Sequence, residues 1–257
     1  MTETINLNEQ ITNMDSLPGH EEELRIKLAE LTKEMNQFTY IVSHDLQAPL
    51  RVVTGFLELL DKRYGDKLDA SAKQYIDHAV KGVSKMKNLV LDLLEYSRLN
   101  SVSMEFTEVD MNMILQDVKE KMAAAINDAG AVINADTLPK VMADKKQMQQ
   151  LFEHLLQNAL KFRTGKIPQI TIISKEEENK SVIGIKDNGI GIDPVFFEKI
   201  FIIFRRLHGD ETKYSGTGAG LAICKKIIDL HNGTIWVESG LNKGSTFWFS
   251  LPGKISN

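Results

Sequence analysis

From Leu24 to Val42 the apolar positions fall at alternating spacings of four and three: Leu24, Leu28, Leu31, Met35, Phe38 and Val42. That is the a/d seam of a coiled coil. The same register puts Asp45 at d, Pro49 at a, Val52 at d, Phe56 at a and Leu59 at d, and Tyr64-Gly65 ends the helix. A second helix is predicted from Asp69, whose short side chain suits an N-cap. Its apolar set is Ala72, Ile76, Ala79, Val83, Met86, Val90 and Leu93. Two long helices joined by a short turn predict an antiparallel α-helical hairpin. Its leftover apolar surface predicts that two copies pair into a dimeric four-helix bundle with an N-terminal coiled coil, a homodimer.

The pattern changes near residue 100. Asn100, Ser101 and Ser103 break the helical period, and the rest is rich in glycine, β-branched residues and turn signals. Strands are predicted over 105–109, 131–135, 140–142, 169–174, 181–186, 234–238 and 246–251. Helices are predicted over 111–126, 145–162 and 221–230, and a polar turn over 176–180. This alternation predicts an α/β sandwich of the size of one ordinary domain. The chain therefore divides into a tail at 1–19, a helical domain at 20–103, an α/β domain at 104–253 and a tail at 254–257.

Composition narrows the classes. Hydrophobic residues make up 42% and charged residues 26%, which excludes wholesale disorder. With 35 acidic against 31 basic residues the net charge is -4, so no overall basic surface for nucleic acid is expected. The single cysteine, Cys224, excludes an internal disulfide and a cysteine-based zinc site. The opening MTETINLNEQ lacks the basic and apolar regions of a signal peptide, and no membrane span is predicted. A cytoplasmic, reducing setting is the expectation.

Two constellations carry chemistry. The first is Ser43-His44-Asp45-Leu46-Gln47-Ala48-Pro49-Leu50. His44 falls at heptad position c, off the seam and reachable. A neighbouring carboxylate such as Asp45 fixes the imidazole tautomer and makes the other nitrogen a better nucleophile. Pro49 removes its N–H bond to the Asp45 carbonyl. The second is a set of glycine segments: Asp187-Asn188-Gly189-Ile190-Gly191 after a strand, Gly216-Thr217-Gly218-Ala219-Gly220 opening a helix, and Gly244-Ser245-Thr246 opening the last strand. Glycines allow close backbone approach, and a helix N-terminus offers free N–H groups to phosphate. Asn158 and Lys161, three apart, share a helix face. An amide oxygen suits Mg²⁺ and an ammonium suits phosphate. The spacing Gly216-x-Gly218-x-Gly220 is wrong for a dinucleotide fingerprint, and no P-loop occurs.

With these segments in this order, the chain resembles the transmitter core of two-component sensor histidine kinases, those of phytochrome-type and PAS-linked sensors most of all. The likeness rests on SHDLQAPLR, LLQNALKF, DNGIGID, IFIIFRRLH, GTGAGLAICKKI and GSTFWFSLP, and covers residues 20 to 252. It implies a dimerising hairpin that carries the phospho-acceptor, followed by a Bergerat-type ATP-binding domain. It implies autophosphorylation from ATP with Mg²⁺ and transfer to an aspartate of a response regulator receiver domain. Matched residue by residue, His44 is the phospho-acceptor and Asp45 its acidic helper. Asn158 is the Mg²⁺ ligand, Lys161 a phosphate contact and Asp187 the acceptor for the adenine amino group. Gly189 and Gly191 form the turn beside the base, and Gly216, Gly218 and Gly220 the hinge of a mobile lid. Thr246 stands on the adenine side, Arg206 reaches the γ-phosphate, and Phe201 and Phe204 anchor the lid. Two positions depart from the pattern. His154 stands where a second asparagine is common and where related ATPases carry a water-activating glutamate, which disfavours hydrolysis. Ala48 stands where kinases that also act as phosphatases carry Thr or Asn, and its methyl group cannot orient a water.

Overall fold

The computed structural model describes residues 18–99, 104–177, 179–207 and 216–253. The boundary segment at 100–103 and the tails at 1–17 and 254–257 lie outside the described residues. Helix α1 spans Pro18–Tyr64, with Pro49 inside it. A short 3-10 turn, Gly65–Lys67, leads to α2, Ala70–Arg98. Asp69 caps α2 by accepting from the Ala72 N–H at 2.7 Å. Ser97 on α2 donates to the Asn36 carbonyl of α1 at 3.3 Å, which fixes the antiparallel register of the hairpin.

The a/d stripe of α1 faces away from α2. Leu28 is 66% exposed and Phe38 64% exposed in the single chain. The face of α1 turned towards α2 carries Asn36, Thr39, Ser43, Gln47, Leu50, Thr54 and Leu57, buried or half-buried. Their spacings also alternate between three and four, but most are polar and escape a search for apolar periods. On α2 the predicted set divides in two. Val83 and Val90 are buried, together with Leu94 and Ser97, which the set lacks, whereas Ala79 and Met86 are exposed. A helix in a bundle needs two apolar faces, and a single list merges them.

The α/β half begins with β1, Phe106–Asp110, then α3, Met111–Lys121, and α4, Ala123–Ala129. The one helix predicted over 111–126 is thus two, broken at Met122. Next come β2, Val132–Ala135, β3, Lys140–Asp144, and α5, Lys145–Lys161. Strands β4, Gln169–Glu177, and β5, Lys180–Asp187, run longer than predicted, so the polar turn shrinks to the residues between them. Helix α6, Gly220–Leu230, and strands β6, Thr234–Ser239, and β7, Ser245–Pro252, complete the chain. The main sheet has the order β2-β4-β5-β7-β6, and β1 pairs with β3 apart from it. Only the β2–β4 pair of the main sheet is parallel; β4–β5, β5–β7 and β6–β7 are antiparallel.

Alternation along each strand sends Ile170, Ile172, Ile183, Ile185, Phe247 and Phe249 to one face. There they meet Met148, Leu151, Phe152, Leu155 and Leu156 of α5, and Ile223 and Ile227 of α6. Phe152 meets Phe249 edge-on, with ring centroids 6.0 Å apart. Leu99, just past the end of α2, is buried in this core and ties the hairpin to the α/β half. Among the described residues no helix is long and apolar enough to cross a membrane.

Candidate functional site

A cavity of roughly 460 Å³ opens between α5, the end of β5, the start of α6 and the side of α2. That volume lies in the range of small-ligand sites. Asn158 and Lys161 line it from α5, Asp187 and Gly191 from the end of β5, and Arg206, Gly216, Gly218 and Gly220 from the segment leading into α6.

Asp187 is almost fully buried. Its Oδ1 accepts from the N–H of Gly189 at 2.7 Å and of Ser245 at 3.2 Å. Asp187 lines the cavity, and its Oδ2 has no partner among the described residues. Burial pushes the carboxyl above its ordinary range, and the two backbone N–H bonds oppose that rise. A fixed carboxylate with one open oxygen accepts a hydrogen bond from a neutral donor such as an exocyclic amine. Gly191 makes room beside it. Its φ is +71°, and a Cβ there would lie 1.9 Å from the Gly240 carbonyl oxygen. Only glycine fits.

The opposite end is cationic. Burial lowers the Lys161 ammonium below its ordinary range, and the Arg206 guanidinium adds to that effect. Two half-buried cations on one cavity wall have the chemistry that suits phosphate groups. Thr217 lies between two glycines of positive φ, Gly216 at +131° and Gly218 at +87°. Among the described residues no three His, Cys, Asp or Glu side chains group to hold a metal ion. The Asn158 amide oxygen on the cavity wall is a hard donor of the kind that suits Mg²⁺ when phosphate oxygens and water supply its other ligands.

Of the residues singled out from the sequence for the nucleotide, the cavity brings together all but two. Gly189 lies behind Asp187 and acts through its N–H. Thr246 points to the opposite face of β7, and its neighbours Ser245 and Phe247 line the cavity instead. Side chains alternate along a strand, so the reading is displaced by one residue. Of the two aromatics, Phe201 packs against the core, whereas Phe204 is exposed with φ +60°.

His44 and Asp45 sit on the surface of α1, with side chains 71% and 73% exposed. His44 Nδ1 lies 3.2 Å from Asp45 Oδ1. With the proton on Nδ1, the imidazole donates to the carboxylate and leaves the Nε2 lone pair open. Ser97 faces Asn36 across the hairpin. His44, about two turns past Asn36, is then level with Leu89, about two turns before Ser97. Asn88, Leu91 and Asp92 of α2 line the cavity, so it lies at the height of His44 along the bundle.

Two participants, Asp92 and Glu95, escaped the sequence reading, and His154 was noted there only as a departure from the family pattern. Asp92 accepts a short hydrogen bond from Thr217 Oγ1. Glu95 accepts from Gln150 Nε2, and its Oε1 lies 3.4 Å from His154 Nε2. His154 thus joins the hairpin to α5. No local motif marks these contacts, because the partners are 55 or more residues apart in sequence.

Comparison with known proteins identifies both halves of the chain. Residues 34–102 match the His Kinase A (phospho-acceptor) domain. Residues 143–255 match the histidine kinase-, DNA gyrase B- and HSP90-like ATPase domain. The phytochrome-like protein Cph1 of Synechocystis sp. is 44% identical over 230 residues, which are 90% of this chain and 31% of that protein. The chain therefore spans about a third of the length of that relative. The crystallised catalytic domain of the histidine kinase ThkA is 33% identical, with a TM-score of 0.51 over 58% of this chain and 96% of that one. The structure of ThkA in complex with the response regulator protein TrrA aligns with a TM-score of 0.61 at 27% identity, over 93% of this chain and 68% of that one. A helical phospho-acceptor region followed by an ATPase-type domain, in a chain this similar to named histidine kinases, belongs to the two-component histidine kinase family and forms its transmitter core.

Proposed function

We propose that this chain uses ATP to phosphorylate His44 and passes the phosphoryl group to an aspartate of a response regulator receiver domain. The observation that carries the reading is an exposed His44–Asp45 pair level with a cavity that has a carboxylate at one end and two cations at the other. Asp187 Oδ2 accepts from the adenine amino group, with Gly191 beside the base. Lys161 and Arg206 hold the phosphates. Asn158 holds Mg²⁺, which when bound neutralises phosphate charge. Asp45 keeps the proton of His44 on Nδ1, so that Nε2 attacks the γ-phosphorus. The N–P bond forms as the bond from phosphorus to the β–γ bridging oxygen breaks. The protein supplies positioning and charge stabilisation.

A second copy completes the bundle by covering the exposed stripe of α1, as the match to the dimerising phospho-acceptor domain supports. The partner receiver is supported by the ThkA complex. The test is incubation with γ-labelled ATP and Mg²⁺. Acid-labile, base-stable label is expected on the wild-type chain and absent from His44→Gln, which retains ATP binding. Persistent label of that kind in His44→Gln would place the acceptor elsewhere.

A further inference from the structure

Besides the apolar Leu99 and Tyr96, the contact between α2 and the α/β half contains two carboxylates. Asp92 and Glu95 are three residues apart and share a helix face. Asp92 takes the Thr217 hydroxyl, and Glu95 takes the Gln150 amide and faces the His154 imidazole. Glu95 lies one helical turn beyond Asp92 and is not among the residues that line the cavity. Asp92 itself lines the wall, and the Gly216 backbone beside Thr217 approaches the Lys161 ammonium so closely that a Cβ would lie 2.6 Å from Nζ. The cavity in this arrangement faces α2, and His44 is not among its lining residues.

We infer that Asp92 and Glu95 form an electrostatic latch, which holds the ATP-binding half against α2 in a resting arrangement and which the phosphates of a bound nucleotide weaken. The inference rests on the reading of the cavity as an adenine nucleotide site. A triphosphate brings several negative charges into the cavity whose wall already holds Asp92, with Glu95 one helical turn away. Like charges brought together in a partly water-excluded site repel. Binding and docking therefore oppose each other, and each weakens the other by the same factor. Latch release frees the ATP-binding half to leave α2 and approach a His44, so phosphates at the site serve as the release signal.

The effect must scale with phosphate charge, and that is the test. The full chain and its variants Asp92→Asn and Glu95→Gln are titrated by calorimetry with adenosine, ADP and the non-hydrolysable analogue AMPPNP in the presence of Mg²⁺. Either variant is expected to bind AMPPNP about threefold to tenfold more tightly, ADP less so, and adenosine as before. Glu58→Gln, the same charge change on an exposed position of α1, is the control and is expected to leave all three affinities unchanged. Unchanged or weaker AMPPNP binding in both latch variants overturns the proposal. An equal gain for adenosine, or the same gain in Glu58→Gln, overturns it as well. A wild-type chain that binds none of the three ligands overturns the nucleotide reading itself, and that result is distinct from a failure of the latch alone.

Discussion

Asp187 illustrates how one side chain is prepared by its neighbours. Two backbone N–H groups hold one carboxylate oxygen, and the walls that exclude water raise its affinity for a proton. A hydrogen bond to a charged acceptor is worth about 1.5–3 kcal/mol. Asp187→Asn is therefore expected to weaken ATP binding by roughly tenfold or more, as read by calorimetry. An unchanged affinity would put the base elsewhere. Because the carboxyl stands above its ordinary range, affinity for ATP should start to fall at a higher pH than an exposed aspartate would produce. The neighbouring residues were only partly legible. Asp187 and Gly191 announce themselves by type and spacing, whereas the choice between Thr246 and Ser245 depends on which face of β7 is inward. A shift of one residue reverses that choice.

At the scale of elements, the junctions hold the architecture. The buried His231, just past α6, accepts from the Asp144 N–H through Nε2 at 3.0 Å and donates through Nδ1 to the Ile227 carbonyl at 2.8 Å. Asp144 is the N-cap of α5, so one neutral imidazole joins the end of α6 to the start of the helix that carries Asn158 and Lys161. Burial lowers the His231 pKa below its ordinary value near 6.5. The unfolded chain then takes up the proton first as the pH falls. This contribution to stability is complete above about pH 6.5 and is lost progressively below it. Thermal unfolding followed from pH 7.5 to pH 5 should show a falling midpoint. His231→Gln should unfold at a lower temperature with a shallower dependence on pH. An equal slope in the variant would exclude His231 as the source. The strands and long helices of this half were legible because their apolar periods are strong. The break at Met122 was not, since Met fits a helical pattern and only the packed structure shows that α3 and α4 are separate.

For the whole molecule, the largest feature left open by a single chain is the apolar stripe of α1, with Leu28, Leu31, Met35, Phe38 and Phe56 all more than half exposed. A second copy is the partner that its coiled-coil period fits. Leu31→Asp or Phe38→Asp should lower dimer stability, because a buried carboxylate there finds no counter-charge. Light scattering at low micromolar concentration should report mass shifting towards the monomer. Full dimer mass in both variants would mean that the stripe is not the seam. The legible part of the hairpin was thus its outer surface and the Val83 and Val90 positions of α2, whereas the mostly polar inward face of α1 went unseen.

That inner face has a mechanical meaning. Thr39 and Thr54 spend their hydroxyls on carbonyls one turn back in α1, those of Met35 and Leu50, and turn no donor towards α2. Ser97 reaches Asn36 only by long bonds of 3.3 and 3.4 Å. Interlocked leucines resist sliding, since each side chain that leaves its socket forfeits about 1.5–3 kcal/mol. Leu50 and Leu57 of α1, with Val83, Val90 and Leu94 of α2, supply some such sockets, whereas the methyl and amide groups of Asn36, Thr39 and Gln47 exchange neighbours at smaller loss. The grip between the two helices of one hairpin is therefore uneven along its length. A twist delivered along α1 would be resisted most around Leu50 and Leu57 and least at the polar stretch around Asn36.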